Sequence, residues 1–250
     1  MDIKGKIVLV TGASSGIGKA ISLKLAAAGA KVGLVSRTLV KLEQVKDEIN
    51  HLGAEAQVFP ADITKRMEVE KMVKQAIDTF GRVDVLVNSA FWGPPGSLEE
   101  TTEDFWDRTI DTTLKAPFLI IREVVPYMRK QGGGRIINIS SVAGKIGEDN
   151  RTAYCAAKWG LNGLSAALRE ELTRDNIHVN SISPAATDTP FWPSSGAKLN
   201  EEILSRFIPP ETIADAVLWV IQQPDKVYIP DIPVHNFKNP FEGKSSPFAE

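Results

Sequence analysis

Short apolar runs alternate along this chain with longer stretches in which apolar residues recur every three or four positions. The runs near 6–11, 31–36, 55–60, 83–89, 134–140 and 177–182 predict strands. The periodic stretches near 17–28, 39–52, 65–80, 102–130, 152–175 and 211–223 predict helices. VDVLVNSA and GRIINIS are apolar at odd and even positions alike, as a strand covered on both faces requires. This alternation predicts an α/β fold: a doubly wound parallel sheet with right-handed crossovers and helices on both faces. No linker, repeat or low-complexity tract interrupts it, so residues 1–234 are expected to form one domain. The segment 235–250, HNFKNPFEGKSSPFAE, is polar and aperiodic and is read as a mobile tail.

Two segments carry chemistry. In the first, an apolar strand runs into Thr11-Gly12-Ala13-Ser14-Ser15-Gly16-Ile17-Gly18, then into a helix with Ile17, Ile21, Leu25 and Ala28 on one face. Gly12 suits a tight turn, Gly16 the approach of a pyrophosphate to the backbone, and Gly18 close packing of helix on strand. The helix N-terminus offers phosphates its unpaired N–H groups and positive dipole end. Glycine spacing alone is a weak signal. The strand before it, and the helix and second strand after it, supply the context the motif needs. Ser36 and Arg37 end that second strand. A carboxylate there would repel a ribose 2′-phosphate, whereas a guanidinium pairs with one, so NADP(H) is expected ahead of NAD(H).

In the second segment, AYCAAKWGLNGLSAALREEL, Tyr154 and Lys158 stand four apart on one face of a predicted helix. An ammonium beside a phenol favours the phenolate and lowers a pKa that otherwise lies near ~10. At about 1.4 kcal/mol per unit, bringing a phenol near neutral pH takes several kcal/mol. One surface lysine would not supply that, so a second cation is expected.

The chain has 250 residues and a net charge of −2, which gives no reason to expect nucleic acid or an anionic membrane as partner. No apolar run approaches a membrane span, and Met1 to Lys6 leads into a strand, not a signal-peptide core, so a cytoplasmic protein is expected. The single cysteine, Cys155, excludes an internal disulfide and fits a reducing compartment. His51, His178 and His235 are scattered, with no ligand spacing, and no metal is expected.

Taken together, these motifs resemble the short-chain dehydrogenase/reductase family in its single-domain form, over roughly residues 3–232. Four further segments fall in the family's order: Asp62-Ile63, Asn88-Ser89-Ala90, Asn138 to Ser141, and Pro184 to Thr189. The thirteen-residue step to Tyr154 picks Ser141 over Ser140. The resemblance implies a Rossmann-type fold, a nicotinamide dinucleotide, and hydride transfer between that cofactor and a carbonyl or alcohol. Tyr154 would be the proton donor in reduction and the acceptor in oxidation. Lys158 would lower its pKa and bind the nicotinamide ribose, Ser141 would hold the substrate oxygen, and the oxidised ring would be the second cation. The glycine turn with Ser14, Ser15 and Ile17 would bind the pyrophosphate side. Ser36, Arg37, Asp62 and Ile63 would take the adenosine side, Asp62 at the adenine amino group or as a cap after Thr64. Asn88, Ser89, Ala90, Pro184, Ala185, Thr187 and Thr189 would surround the nicotinamide half. The resemblance also implies a homodimer or homotetramer, with Phe237, Phe241 and Phe248 as anchors should the tail lie on a neighbouring subunit.

Three positions depart from the family pattern: Phe91 and Ala185 stand where glycine is usual, and Thr113 where an asparagine completes a proton relay. A glycine-specific conformation at Phe91 would be strained. Pro117, four residues after Thr113, has no N–H and so frees the Thr113 carbonyl for a relay water. Phe91, Trp92, Phe191 and Trp192 fall on loops at the sheet's carboxyl edge and suggest an apolar substrate pocket, with 185–210 as the substrate loop. The activity expected is reduction of a small or medium apolar carbonyl compound, or its reversal. A dinucleotide-binding sensor or assembly partner with little turnover, and an epimerase or dehydratase on the same fold, are the alternatives.

Overall fold

In the computed structural model, which describes residues 1–197 and 199–241, seven parallel strands form one sheet in the order β3-β2-β1-β4-β5-β6-β7. They are β1 (Ile7–Thr11), β2 (Lys31–Ser36), β3 (Ala56–Pro60), β4 (Val85–Asn88), β5 (Gly134–Ile139), β6 (Ile177–Pro184) and β7 (Asp231–Val234). The strand order reverses between β1, which pairs with β2 on one side, and β4 on its other side. The two chain directions diverge there, opening a crevice at the strands' carboxyl ends.

The period-two pattern explains the layers. Val8 and Val10 on β1 point into one apolar cluster with α1 (Gly16–Ala27), α2 (Leu39–His51) and α9 (Pro210–Gln222). Leu9, between them, points into the other, with α3 (Arg66–Phe80) and α5 (Ala116–Lys130). Two helices of a single turn, α7 (Phe191–Ser194) and α8 (Glu201–Leu204), occupy the segment expected to be the substrate loop.

Two expectations are corrected. The predicted helix 102–130 is three pieces: α4 (Glu103–Ile110), a π-helical turn over Asp111–Lys115, and α5. The Ala116 N–H bonds the Asp111 carbonyl, five residues back, and Pro117 next to it has no N–H to give Thr113. Strand β7 is not among the predicted strands, because Pro230 and Pro233 break the local pattern. An edge strand pairs on one side only and tolerates proline there, and β7 pairs only with β6. The helix α6 (Thr152–Leu172) and a short 3₁₀ turn, Thr173–Asp175, together fill the predicted 152–175. No helix among the described residues is long and apolar enough to cross a membrane.

The start of the expected tail is held in place. The Asn236 side chain accepts from Ala186 N (3.0 Å) and donates to the carbonyls of Ala186 (2.9 Å) and Arg206 (2.8 Å). The Phe241 ring packs on Trp192 and Phe207 of the same chain, whereas Phe237 is wholly exposed. Asn236 and Phe241 of the expected tail are thus packed against residues 186–207. Phe248 lies outside the described residues.

Candidate active site

One cavity of about 1050 Å³ runs along the carboxyl edge of the sheet, from Arg37 past the glycine turn to Tyr154 and the substrate loop. Its floor is the β1–α1 turn. Gly12 has φ +68°, and a Cβ there would come within 2.9 Å of the Ala90 backbone. Gly18 has no room for a side chain either: its Cβ would lie 2.3 Å from the Gly12 carbonyl oxygen. Gly16, at φ +52°, faces Thr189 across the cleft. Ser15 is the N-cap of α1, yet its hydroxyl makes no capping bond, so both hydroxyl and helix N-terminus are presented to the cleft. A dinucleotide needs this kind of cradle, and the residues fit one.

The adenosine end is cationic. Arg37 lines the cavity together with Lys41, one helical turn on, which the sequence reading missed. The Ser36 hydroxyl accepts from Thr38 N. Asp62 receives both the backbone N–H and the hydroxyl of Thr64 on one oxygen. Burial pushes its carboxyl up, but the Thr64 bonds and the Arg37 charge outweigh burial and hold it below the usual range. Asp62 thus closes a turn on Thr64 and does not cap α3; Ile63 follows it in the cavity wall.

The other end holds the proposed chemistry. Asn88 on β4 donates to Asn138 on β5 (2.9 Å), and Asn138 donates to Ser165 on α6 (2.8 Å), a buried polar ladder locking sheet to helix beneath the site. Asn88 Oδ1 is buried without a hydrogen-bond partner among the described residues. Ser141, just after β5, is the N-cap of a 3₁₀ turn; its hydroxyl accepts from Ala143 N (3.1 Å) and donates to the Pro184 carbonyl (3.3 Å). Tyr154 and Lys158 share the buried face of α6, and the Lys158 ammonium lies 5.6 Å from the centre of the Tyr154 ring. Lys158 donates to the Ile139 carbonyl (2.8 Å). Ser89, Ala90, Ala185 and Thr187 also line the cavity.

The charge balance at Tyr154 differs from the sequence expectation. Burial pushes the phenol pKa up; the Arg151 guanidinium, then the Ser141 hydrogen bond, pull it down by less. Burial, helped by Arg151, lowers the Lys158 pKa to about 7. Arg151 is thus a second cation of this chain beside Tyr154, with the guanidinium carbon 4.2 Å from the ring centre. Sequence reasoning passed over Arg151. The one signal was its place three residues before Tyr154, where a helix start shares a face with the first turn.

The departures have local explanations. Phe91 does not adopt positive φ, so the feared strain is absent. Its ring fills space instead, 5.9 Å from Tyr154, 5.0 Å from Phe191 and 5.4 Å from the Lys158 ammonium. Thr113 is buried in the π turn and clasps the next residue of that loop: it donates to the Trp92 carbonyl (2.8 Å) and accepts from Trp92 N (3.2 Å). Of the four predicted pocket aromatics, Phe91 packs on Tyr154, and Phe191 packs on Phe91 with the Arg151 guanidinium 5.9 Å from its ring centre. Trp92 is sandwiched by Phe105 and Arg108, and Trp192 joins Phe207 and Phe241 while donating to the Thr187 carbonyl. All four line the cavity.

A family model described as short chain dehydrogenase matches residues 6–200. The chain belongs to the short-chain dehydrogenase family. Its relatives include an oxidoreductase of Staphylococcus epidermidis, 34% identical over 232 residues, covering 93% of this chain and 97% of that one. Another is the 3-oxoacyl-[acyl-carrier-protein] reductase of Thermotoga maritima, 36% identical over 88% of this chain and 92% of that one. Among solved short-chain dehydrogenases, a metagenomic oxidoreductase in complex with NADP is 35% identical, with a TM-score of 0.83 over 96% of this chain and all of that one. An actinorhodin polyketide ketoreductase variant with NADPH is 30% identical, with a TM-score of 0.87 over 93% of this chain and 96% of that one.

Proposed function

We propose that this short-chain dehydrogenase uses NADP(H) to interconvert a small or medium carbonyl compound and its alcohol. The observation that carries the reading is the Ser141–Tyr154 hydroxyl pair, set at one end of the same cavity whose other end is the glycine turn and Arg37. The NADP and NADPH complexes of two relatives support the choice of dinucleotide. Arg37 and Lys41 would hold the 2′-phosphate, the first turn of α1 the pyrophosphate, and Lys158 the nicotinamide ribose. When bound, the cofactor supplies or accepts the hydride and, once oxidised, adds a positive charge beside the phenol. In reduction, Ser141 holds the carbonyl oxygen and Tyr154 Oη donates the proton to it; in oxidation, Tyr154 takes that proton back. Phe91 and Phe191 keep water from the reacting carbon.

Absorbance of NADPH, followed over a panel of aldehydes and ketones, tests the proposal. Replacing Tyr154 with Phe removes only the phenolic hydroxyl, so turnover should drop by roughly 10²–10⁴ while NADPH still binds. If the unaltered protein binds NADPH but oxidises it with no member of a broad panel, a low-turnover binding role replaces this reading.

A further inference from the structure

Arg151 is a charged side chain placed against the reacting end of the cavity and in no ion pair among the described residues. It stands at the N-terminal boundary of α6, 4.2 Å from the Tyr154 ring centre and 5.9 Å from that of Phe191. Its Nε is fully shielded from water and meets no hydrogen-bond partner among the described residues. No carboxylate of the described residues forms an ion pair with it. Glu148 and Asp149 line the same cavity but are exposed, so their charges act through water. Phe91, Phe191 and Tyr154 wall the same end of the cavity, and a half-buried guanidinium beside them is well placed to take an anionic partner. The two Nη groups are not shut off as Nε is, and their end of the guanidinium fork matches the two oxygens of a carboxylate.

We propose that Arg151 is the substrate-recognition residue of this pocket and that the substrate is a short oxo acid, or the matching hydroxy acid. Its carboxylate lies on the Nη end of Arg151 while its carbonyl oxygen reaches Ser141 and Tyr154. The proposal rests on the carbonyl-reductase reading above and sharpens it. It also explains why the cation sits over the Tyr154 ring: a carboxylate bound there is held next to the hydroxyl that moves the proton. The aromatic walls then cover the carbon chain between the two polar ends.

The experiment compares pyruvate, acetoacetate and levulinate, each beside its methyl ester, with NADPH and the full chain, for the unaltered protein, Arg151→Gln and Arg151→Lys. The unaltered protein should favour at least one acid over its ester by tenfold or more in kcat/KM. Arg151→Gln should shrink that ratio by roughly ten- to hundredfold, as loss of a charge-assisted hydrogen bond does. Arg151→Lys should keep part of it. An acid-to-ester ratio near one in the unaltered protein overturns the proposal. So does an equal loss on acid and ester in Arg151→Gln, which would make Arg151 a prop for the Tyr154 ring. Calorimetric titration of the NADPH-loaded protein with the same acids decides the matter without turnover. Binding that Arg151→Gln abolishes supports the site even if the reductase reading fails, and binding that the variant leaves unchanged overturns it.

Discussion

Lys158 is 2% exposed, and burial lowers its pKa to about 7. Between that value and the unfolded lysine's higher one, the unfolded chain binds more protons, so this residue's contribution to stability rises with pH and is lost as pH falls through about 7. Replacing Lys158 with Met should therefore raise the melting temperature of the cofactor-free protein more at pH 6 than at pH 9. A gain that is equal at both values, by calorimetry, would show that the amine stays charged when buried. At the adenosine end, Arg37→Gln should cut the preference for NADPH over NADH roughly tenfold, the worth of one charge-assisted bond; Lys41 should retain the remainder. Steady-state kinetics with both dinucleotides gives the ratio directly. Ser141, Tyr154 and Lys158 were legible because spacing along the chain carries them. Arg151 was not: its effect depends on a guanidinium lying over an aromatic face, which only the packed helix start creates. The Thr113 clasp on Trp92 is likewise invisible in sequence, since the two residues meet only through the turn of the fold.

At the scale of elements, the β1–α1 turn is the part most completely forecast. Each glycine was assigned a reason, and the Cβ distances at Gly12 and Gly18 bear out the tight turn and the close helix packing. A methyl group at Gly18 would press on the backbone oxygen of Gly12, which cannot swing away as a side chain can. Gly18→Ala should cost about 1–3 kcal/mol of stability, as overpacking does, and weaken NADPH binding. A variant that melts and binds like the parent would mean the turn can shift without consequence. The helix over 102–130 reads as one piece because each side of the π turn keeps its own three-to-four spacing, and the shift between them is a single residue. The proline at 117 was noticed, but which hydrogen bonds would reroute around it is a property of the helix as built. Strand β7 failed the opposite test: its prolines argued against a strand, and only its place at the sheet edge makes them harmless.

Across the whole molecule, the substrate loop and the residues after β7 close on each other. Asn236→Ala deletes three hydrogen bonds between them, so the KM for the carbonyl substrate should rise while affinity for NADPH holds, and proteolysis within 185–210 should quicken. Unaltered KM and cleavage rate would show that the aromatic cluster of Trp192, Phe207 and Phe241 holds the loop alone. The parallel, two-faced sheet was readable from strands apolar at every position; the docking of 235–241 was not, because its anchor is one asparagine in an aperiodic stretch. The sheet order has a further consequence for synthesis. On one edge of β1, Val8 meets Val32 of β2, but on the other edge it must wait for Val85 of β4. While a ribosome extends the nascent chain from β2 to β4, at about 5–20 residues per second, the most apolar strand keeps one edge bare for several seconds. During that interval the newborn half-sheet is open to chaperones and to its siblings on the same message.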